Sequence, residues 1–424
     1  MKYSTIAEVY DLGPFITKVV LDVEQELTDC SIDKETFHVQ VVRKDKTTGD
    51  IIQISKFWGS KDRYPSEGER KIEGAYISDR EGRHSNSGSF ITLELEVDPR
   101  ISLGSTITFN NFFNEHVNCE YSISQTKPIV CGNINLSNMF FSVLDQEQTL
   151  LADEFITGTS TYQELSLSYA VYQPQSNGEK RPLLIWLHGA GEGGNDPIIA
   201  ISGNKVVNLI TEDIQQYFGR SYVLAPQAPT MWMDDGTGRY NTNGSSMYVE
   251  AVKNVIDEFI INHNDVDQSR IYIGGCSNGG FMTMKMIIEY PQLFAAAYPI
   301  CEALSDEFIT DEDISKIKNI PIWFTHSSND PIVNVDRHPL ATYQRLINAG
   351  ATEVHFSCFS SVTDQTGNYF NEDGTPYEYN GHFSWIPALN NECCNDYNKK
   401  PVVLYGRKVT LFEWISMQKR QDSL

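Results

Sequence analysis

The sequence predicts an α/β domain with a doubly wound, mostly parallel sheet, preceded by an all-β sandwich. Residues 15 to about 140 carry short alternating segments separated by turn-rich pieces, with no helical period. From residue 183 onward, continuous apolar strands alternate with segments of helical spacing, a pattern typical of parallel sheets that are buried on both faces. A chain of 424 residues is also long enough for two domains.

The first domain, residues 1–145, is expected to be an immunoglobulin-like sandwich. Residues 37–41 and 91–97 alternate between polar and apolar side chains with a period of two, as half-buried strands do. The alternation stops between residues 142 and 156, which places the domain junction there. No catalytic constellation is visible in this first domain.

The second domain, residues 150–424, opens with an alternating strand at 165–171. The continuous apolar run LLIWL at 183–187 is expected to be a central strand of a parallel sheet. The remaining strands and helices are predicted from apolar runs and helical spacing. Strands are expected at 222–225, 271–274, 294–300, 321–325 and 353–359, and helices at 245–263, 281–290, 336–349 and 409–419.

A G-x-S-x-G motif, Gly275 to Gly279, lies between a predicted strand and a predicted helix. The two glycines let the strand and the helix approach closely, while Ser277 takes a strained backbone conformation that exposes its hydroxyl group. The following helix directs free N–H groups and a positive dipole end at any negative charge formed there. Ser277 is therefore the candidate nucleophile, and the alternative is a glycine-rich turn with an N-capping serine.

A serine nucleophile needs a histidine to accept its proton and an acid to orient that histidine. Asp330 follows the apolar strand at 321–325 in a loop, whereas Asp336, the second choice, lies where a helix N-cap is expected. His382 is the one histidine that both lies in a loop and follows Asp330. A turn aspartate and a solvated loop histidine are the alternatives for these two residues.

The oxyanion of an acyl-transfer intermediate needs hydrogen-bond donors. The backbone N–H of Asn278, next to Ser277, is one candidate. The second candidate is the N–H of Ala190 in the HGAG loop at 188–191, with Gly191 as the fallback. Trp232 and Trp385, together with Met231, lie in loops that would border this site; they either line a substrate pocket or only pack the loops.

The composition restricts the expected partners. A net charge of −23, from 33 basic and 56 acidic residues, argues against a nucleic acid or an anionic membrane as a partner. No cysteine or histidine cluster has metal-ligand spacing, so neither a metal nor a cofactor is expected, and the eight cysteines do not settle the redox compartment. Residues 1–14 lack the apolar core of a signal peptide, which favours a cytoplasmic location, or secretion if a leader has been removed.

Several of these motifs resemble one known group of proteins. The chain is similar to serine esterases of the α/β-hydrolase superfamily, on the dienelactone-hydrolase and polyhydroxybutyrate-depolymerase-like branch, and more closely to two-domain bacterial esterases with an N-terminal immunoglobulin-like domain. Dienelactone hydrolases carry a cysteine where this chain has Ser277, so the neighbouring Cys276 is interpreted as a packing residue. The motifs are PLLIWLHGAGEGG (182–194), APQAP (225–229) followed by Trp232, GGCSNGG (274–280), PIWFTHSSNDPIV (321–333) and GHFSW (381–385).

The resemblance implies a serine carboxylesterase that cleaves short-chain acyl esters through an acyl-enzyme, with Ser277, His382 and Asp330 as its catalytic triad. The expected substrate is a small-molecule or glycan-linked ester. A carbohydrate esterase that removes acetyl or feruloyl groups from plant polysaccharide is the alternative within the same chemistry. A catalytically silent binding module is the alternative from another class. In similar esterases the N-terminal domain limits access to the site or mediates assembly, so a homo-oligomer formed through this domain is a further expectation.

Overall fold

The computed structural model describes residues 1–54, 63–110 and 112–420. The chain falls into two compact units, Met1–Asp153 and Glu154–Leu424. Residues 143–149, which the sequence places around the junction, form a strand that pairs in parallel with the first strand of the chain. This pairing keeps them with the first unit.

The first unit consists of β-strands, as the alternating pattern predicts. In residues 37–45, for example, buried and half-buried side chains alternate along the strand. Its strands are β1 (Lys2–Tyr10), β2 (Gly13–Thr28), β3 (Phe37–Asp45), β4 (Glu67–Glu69), β5 (Ile72–Ser78), β6 (Ser87–Leu95), β7 (Ile107–Asn110), β8 (Phe113–Gln125), β9 (Ile129–Cys131), β10 (Ile134–Leu136), β11 (Phe140–Phe141) and β12 (Val143–Thr149).

These strands form two sheets around one apolar core. One sheet has the order β12-β1-β2-β6-β5, and the other has the order β11-β8-β3-β4 with β7 also paired to β8. Strands β9 and β10 form a separate hairpin. A disulfide joins Cys30, just beyond β2, to Cys131 at the end of β9, across 101 positions of sequence. The sequence did not predict this bond.

The second unit is built on one eight-stranded sheet, which confirms the predicted fold class. The run at 181–187 is buried at every position, as expected for a strand covered on both faces. The sheet strands are β13 (Ile156–Tyr162), β14 (Leu165–Tyr172), β15 (Arg181–Leu187), β16 (Tyr222–Gln227), β17 (Val266–Cys276), β18 (Ala296–Ile300), β19 (Ile322–Ser327) and β20 (Val354–Phe359).

The order across this sheet is β13-β14-β16-β15-β17-β18-β19-β20. The pairs that involve β14 are antiparallel, and every pair from β16 to β20 is parallel. The parallel strands therefore present their carboxyl ends at one edge, where α/β folds bind their ligands. Two short antiparallel pairs lie outside this sheet, β21 (Val362–Thr363) with β22 (Glu378–Tyr379) and β23 (Val403–Leu404) with β24 (Arg407–Lys408).

Helices connect the strands and cover the sheet. The predicted helices at 245–263, 336–349 and 409–419 extend one to four residues beyond each end of the observed helices, which span Val249–Asn262, Pro339–Asn348 and Leu411–Ser416. The helix Asp311–Ile317 begins with a capping box between Thr310 and Asp313. The helices are α1 (Pro197–Ser202), α2 (Glu212–Phe218), α3 (Val249–Asn262), α4 (Asn278–Glu289), α5 (Asp311–Ile317), α6 (Pro339–Asn348), α7 (Trp385–Leu389) and α8 (Leu411–Ser416).

Within residues 1–54, 63–110 and 112–420, no helix is both long and apolar enough to cross a membrane. In that same part of the chain, no three His, Cys, Asp or Glu side chains are grouped so that they could hold a metal ion.

Candidate active site

Ser277 occupies the sharp turn between β17 and α4. Its backbone has φ 55° and ψ −113°, a conformation that is strained for a residue with a Cβ atom. The turn is held at both sides, because the Ser277 N–H donates to the Ile300 carbonyl at 2.8 Å and the Ser277 carbonyl accepts from the Phe281 N–H at 2.9 Å. The strand-turn-helix context that the motif requires is therefore present.

The glycines two positions either side of Ser277 allow a close backbone contact with the end of β15. A Cβ atom at Gly275 would lie 2.4 Å from the carbonyl oxygen of Leu187, and one at Gly279 would lie only 1.9 Å from the same atom. Any side chain at either position would push β15 and the turn apart. The glycines thus fix the distance between Ser277 and the loop that follows β15.

The structure brings Ser277, His382 and Asp330 into one hydrogen-bonded chain. The Nε2 atom of His382 lies 2.8 Å from the Ser277 Oγ atom, and its Nδ1 atom lies 2.8 Å from Asp330 Oδ2. Ser277 is half-buried, His382 is 8% exposed, and the Asp330 side chain is 1% exposed. A serine, a histidine and an acid in this order can generate a nucleophilic alkoxide.

Asp330 is held as a carboxylate by its own loop. Its Oδ1 atom accepts the backbone N–H groups of Ile332 at 2.7 Å and Val333 at 2.9 Å. Burial by itself raises the pKa of this carboxyl, but the hydrogen bond and charge interaction with His382 and the two N–H groups outweigh it, so the pKa lies below its ordinary value. Asp336, the second choice for the acid, is exposed to solvent.

The two candidate oxyanion donors both lie at the first position of a helix. Asn278 opens α4, and Ala190 opens a 3₁₀ helix at Ala190–Glu192 that follows β15. The first N–H groups of a helix have no acceptor within it, so both remain available to a ligand. The positive end of the α4 dipole adds to the attraction for an anion.

His188 and Trp232 hold these two donors in place, a role that the sequence did not reveal. The Nε2 atom of His188 accepts the Ala228 N–H at 3.0 Å, so the ring is neutral with its proton on Nδ1, which donates to the Gly189 carbonyl at 2.6 Å. Burial lowers the pKa of His188 to about 4, which keeps it neutral. The indole N–H of Trp232 donates to the His188 carbonyl at 3.0 Å, and its backbone N–H donates to the Asn278 side chain at 2.6 Å.

The candidate pocket residues occupy different environments from those expected. Trp232 is 0% exposed and its ring lies 4.8 Å from that of His188, so it packs the loops and does not line an accessible pocket. Trp385 is 8% exposed, and its ring meets that of His382 edge-on at 5.8 Å. Trp385 therefore packs against the histidine of the hydrogen-bonded chain. The burial of Trp232 agrees with the alternative that these tryptophans pack the loops and do not line a substrate pocket.

A cavity of about 280 Å³ lies next to the segments that carry Ser277 and Asp330. Its wall includes Phe281, one helical turn after Ser277, and Ile332, two positions after Asp330. The wall combines apolar and aromatic side chains with polar and charged ones. The main lining residues are Met233, Tyr240, Phe281, Leu304, Phe308, Ile332, Arg337 and His338.

Cys276 ends β17 and directly precedes Ser277. It is fully buried, and its Sγ atom lies 3.5 Å from the Asn204 side-chain oxygen. Burial raises the pKa of the thiol well above its ordinary value, so the reactive thiolate is disfavoured. These features agree with the interpretation of Cys276 as a packing residue.

Comparison with known proteins matches both units to esterases. Residues 2–138 match the esterase Ig-like N-terminal domain, and residues 170–370 match the phospholipase/carboxylesterase family. The crystal structure of a thermostable esterase aligns with a TM-score of 0.76 and 26% identity, over 99% of this chain and 99% of that one.

Two curated relatives match parts of the chain. A probable carboxylesterase SOBER1-like of Arabidopsis thaliana is 27% identical over 179 residues, which cover 36% of this chain and 62% of that protein. Acetylxylan esterase A of Emericella nidulans is 36% identical over 77 residues, 18% of this chain and 24% of that protein. The chain thus spans less than two thirds of either relative. Together with the fold, the matches confirm the predicted resemblance: residues 2–138 form an esterase Ig-like N-terminal domain, and residues 170–370 belong to a phospholipase/carboxylesterase domain of the α/β-hydrolase fold.

Proposed function

We propose that the protein is a serine carboxylesterase that hydrolyses short-chain acyl esters through an acyl-enzyme. The observation that carries this proposal is the chain Ser277–His382–Asp330, with 2.8 Å at each contact. The family of the second unit supports the same activity.

In the proposed mechanism, each of these residues has one role. His382 accepts the Ser277 proton as Oγ attacks the ester carbonyl carbon, and Asp330 stabilises the imidazolium that forms. The N–H groups of Asn278 and Ala190 receive the carbonyl oxygen as it becomes negative, and each such donor is worth about 3 kcal/mol of transition-state stabilisation. His382 then donates the proton to the departing alcohol, which leaves an acyl group on Oγ. Water, activated by the same histidine, releases the acid and restores Ser277.

The cavity beside the site supports a small acyl or alcohol group. At about 280 Å³, the cavity is close to the lower limit of the roughly 300–1,000 Å³ that is usual for drug-sized ligands. A carbohydrate esterase that releases acetyl groups from plant polysaccharide is the second candidate, because the matched segment of acetylxylan esterase A shares 36% identity with this chain. Relative kcat/KM values on p-nitrophenyl acetate, p-nitrophenyl butyrate, acetylated xylan and methyl ferulate would separate these substrates.

The decisive variant is Ser277→Ala, with Cys276→Ala as its matched control. Removing the nucleophile should lower kcat on p-nitrophenyl acetate by a factor on the order of 10⁴ or more and should abolish labelling by a fluorophosphonate probe. The control removes a neighbouring buried sulfur outside the hydrogen-bonded chain. It should retain both ester turnover and probe labelling. A Ser277→Ala protein that is folded and turns over the ester normally would contradict the proposal, and a wild-type protein that neither reacts with the probe nor cleaves any ester would favour the silent binding module.

A further inference from the structure

A second histidine contacts the acid of the proposed triad, and the mechanism above does not use it. His326 lies near the end of β19 and is 0% exposed. Its Nε2 atom lies 3.0 Å from the Val333 carbonyl oxygen and 3.3 Å from Asp330 Oδ2, the same carboxylate oxygen that receives His382.

The surroundings fix the protonation of this ring. A carbonyl and a carboxylate oxygen can only accept hydrogen bonds, so Nε2 must carry the hydrogen. The Nδ1 atom is buried and has no hydrogen-bond partner among the described residues, so a second proton there would have nothing to bind. Burial lowers the pKa of His326 to about 4, in agreement with a neutral ring.

We propose that His326 is a positioning residue, whose Nε2–H, hydrogen-bonded to the Val333 carbonyl, fixes the loop that holds the Asp330 carboxylate in the orientation that His382 requires. The inference rests on the proposed esterase function. Val333 completes the arrangement, because its N–H donates to Asp330 Oδ1 while its carbonyl accepts from His326. The imidazole thus ties together the carboxylate and the loop that carries it. A rigid carboxylate keeps the His382 ring aimed at Ser277.

The His326 ring also places the positive end of its dipole near the carboxylate, since Nε2 lies 3.3 Å from Asp330 Oδ2. Without this dipole, the Asp330 carboxylate would attract more strongly the positive charge that forms on His382 during catalysis. The ionisable groups that face His326 are Asp330, His382 and His338. Cys301 faces Asp330 from the end of β18, and Cys358 lies opposite His326 in β20; both thiols are neutral because burial raises their pKa.

Two variants of the full chain test this role. His326→Leu replaces the donor with an apolar side chain of similar size. His326→Gln places an amide N–H near the position of Nε2. With p-nitrophenyl acetate, we expect His326→Leu to lose kcat on the order of 10- to 100-fold with little change in KM, because a misplaced catalytic group costs up to about that factor. The acid limb of its kcat/KM profile should move to higher pH, while His326→Gln should restore most of the activity and the wild-type limb.

The outcomes distinguish this inference from the proposed function. If the wild type is active and Ser277→Ala is not, the function stands and the His326 variants can be interpreted. A folded His326→Leu protein with wild-type kcat and pH profile would overturn the positioning role. Equal losses in the leucine and glutamine variants, with an unmoved acid limb, would also overturn it, because they would indicate packing alone. Thermal unfolding of each variant establishes that it is folded at the assay temperature.

Discussion

Gly279→Ala tests the close contact between the nucleophile turn and β15. A Cβ atom at this position would lie 1.9 Å from the Leu187 oxygen, 2.4 Å from the Leu187 carbonyl carbon and 2.6 Å from the His188 oxygen. All three are backbone atoms, so no side-chain rotation can relieve the clash. Since real contacts of this kind are essentially never shorter than 3.0 Å, the two backbones must separate by more than 1 Å.

The expected effect on stability has two opposing parts. Alanine is the better helix former by about 1 kcal/mol. Overpacking that shifts backbone typically costs about 1–3 kcal/mol, and the present clash belongs at the upper end because no flexible atom can yield. The net result is a loss of about 2 kcal/mol, which lowers the Tm by roughly 4–8 °C for a domain of this size.

The expected effect on activity is larger than the effect on stability. The displaced segment leads directly into the loop that carries Ala190, so the variant moves one oxyanion donor away from Ser277. A misplacement of about 1 Å can cost on the order of 100-fold in rate, to be measured as kcat/KM on p-nitrophenyl acetate. Gly350→Ala is the matched control, because Gly350 has φ +88° and no atom within 4 Å of its Cβ position. It should lose about 1–2 kcal/mol through backbone strain yet keep normal kinetics. An unchanged Tm and kcat/KM for Gly279→Ala would refute the reasoning.

Two further predictions concern ionisable groups. Asp330→Asn should lower kcat on the order of 10⁴-fold while the protein stays folded, because the amide favours the wrong His382 tautomer; a loss of less than tenfold would contradict the role of Asp330. The pKa of His188 is lowered to about 4 in the folded chain from an ordinary value of 6.5. The unfolded chain therefore binds one more proton between these values, so stability is complete above pH 6.5 and falls by roughly 3 kcal/mol as the pH drops toward 4. Urea unfolding across this range should show a shallower pH dependence in His188→Gln, and equal slopes in the two proteins would contradict the buried neutral ring.

The two domain types could be predicted because their strands have different hydrophobic patterns. The uninterrupted run LLIWL is typical of a strand in a parallel sheet covered on both faces, whereas the alternating segment at 91–97 fits a sheet with one buried face. The meeting of Ser277, Asp330 and His382 at one site could also be predicted from the strands. Each follows a strand or a turn of strong local signal, and parallel strands bring their carboxyl ends to one edge.

The supporting residues could not be predicted, because their roles depend on three-dimensional contacts. His188 and His326 each follow or end an apolar strand, as do other residues, and only the packed structure shows which ring atoms meet a carbonyl or a carboxylate. Trp232 follows the APQAP motif in a loop that would border the site, yet its indole packs in the core. The Cys30–Cys131 pair depends on how a strand end meets a distant hairpin, which no local pattern specifies.

The Cys30–Cys131 disulfide would hold the first unit together covalently if its backbone were cut. The 101 positions between its two cysteines include β3 to β8, about half of the unit's strands. A protease that nicks the backbone at a loop in this interval would leave two fragments still covalently tethered, and they would separate only in the presence of a reductant.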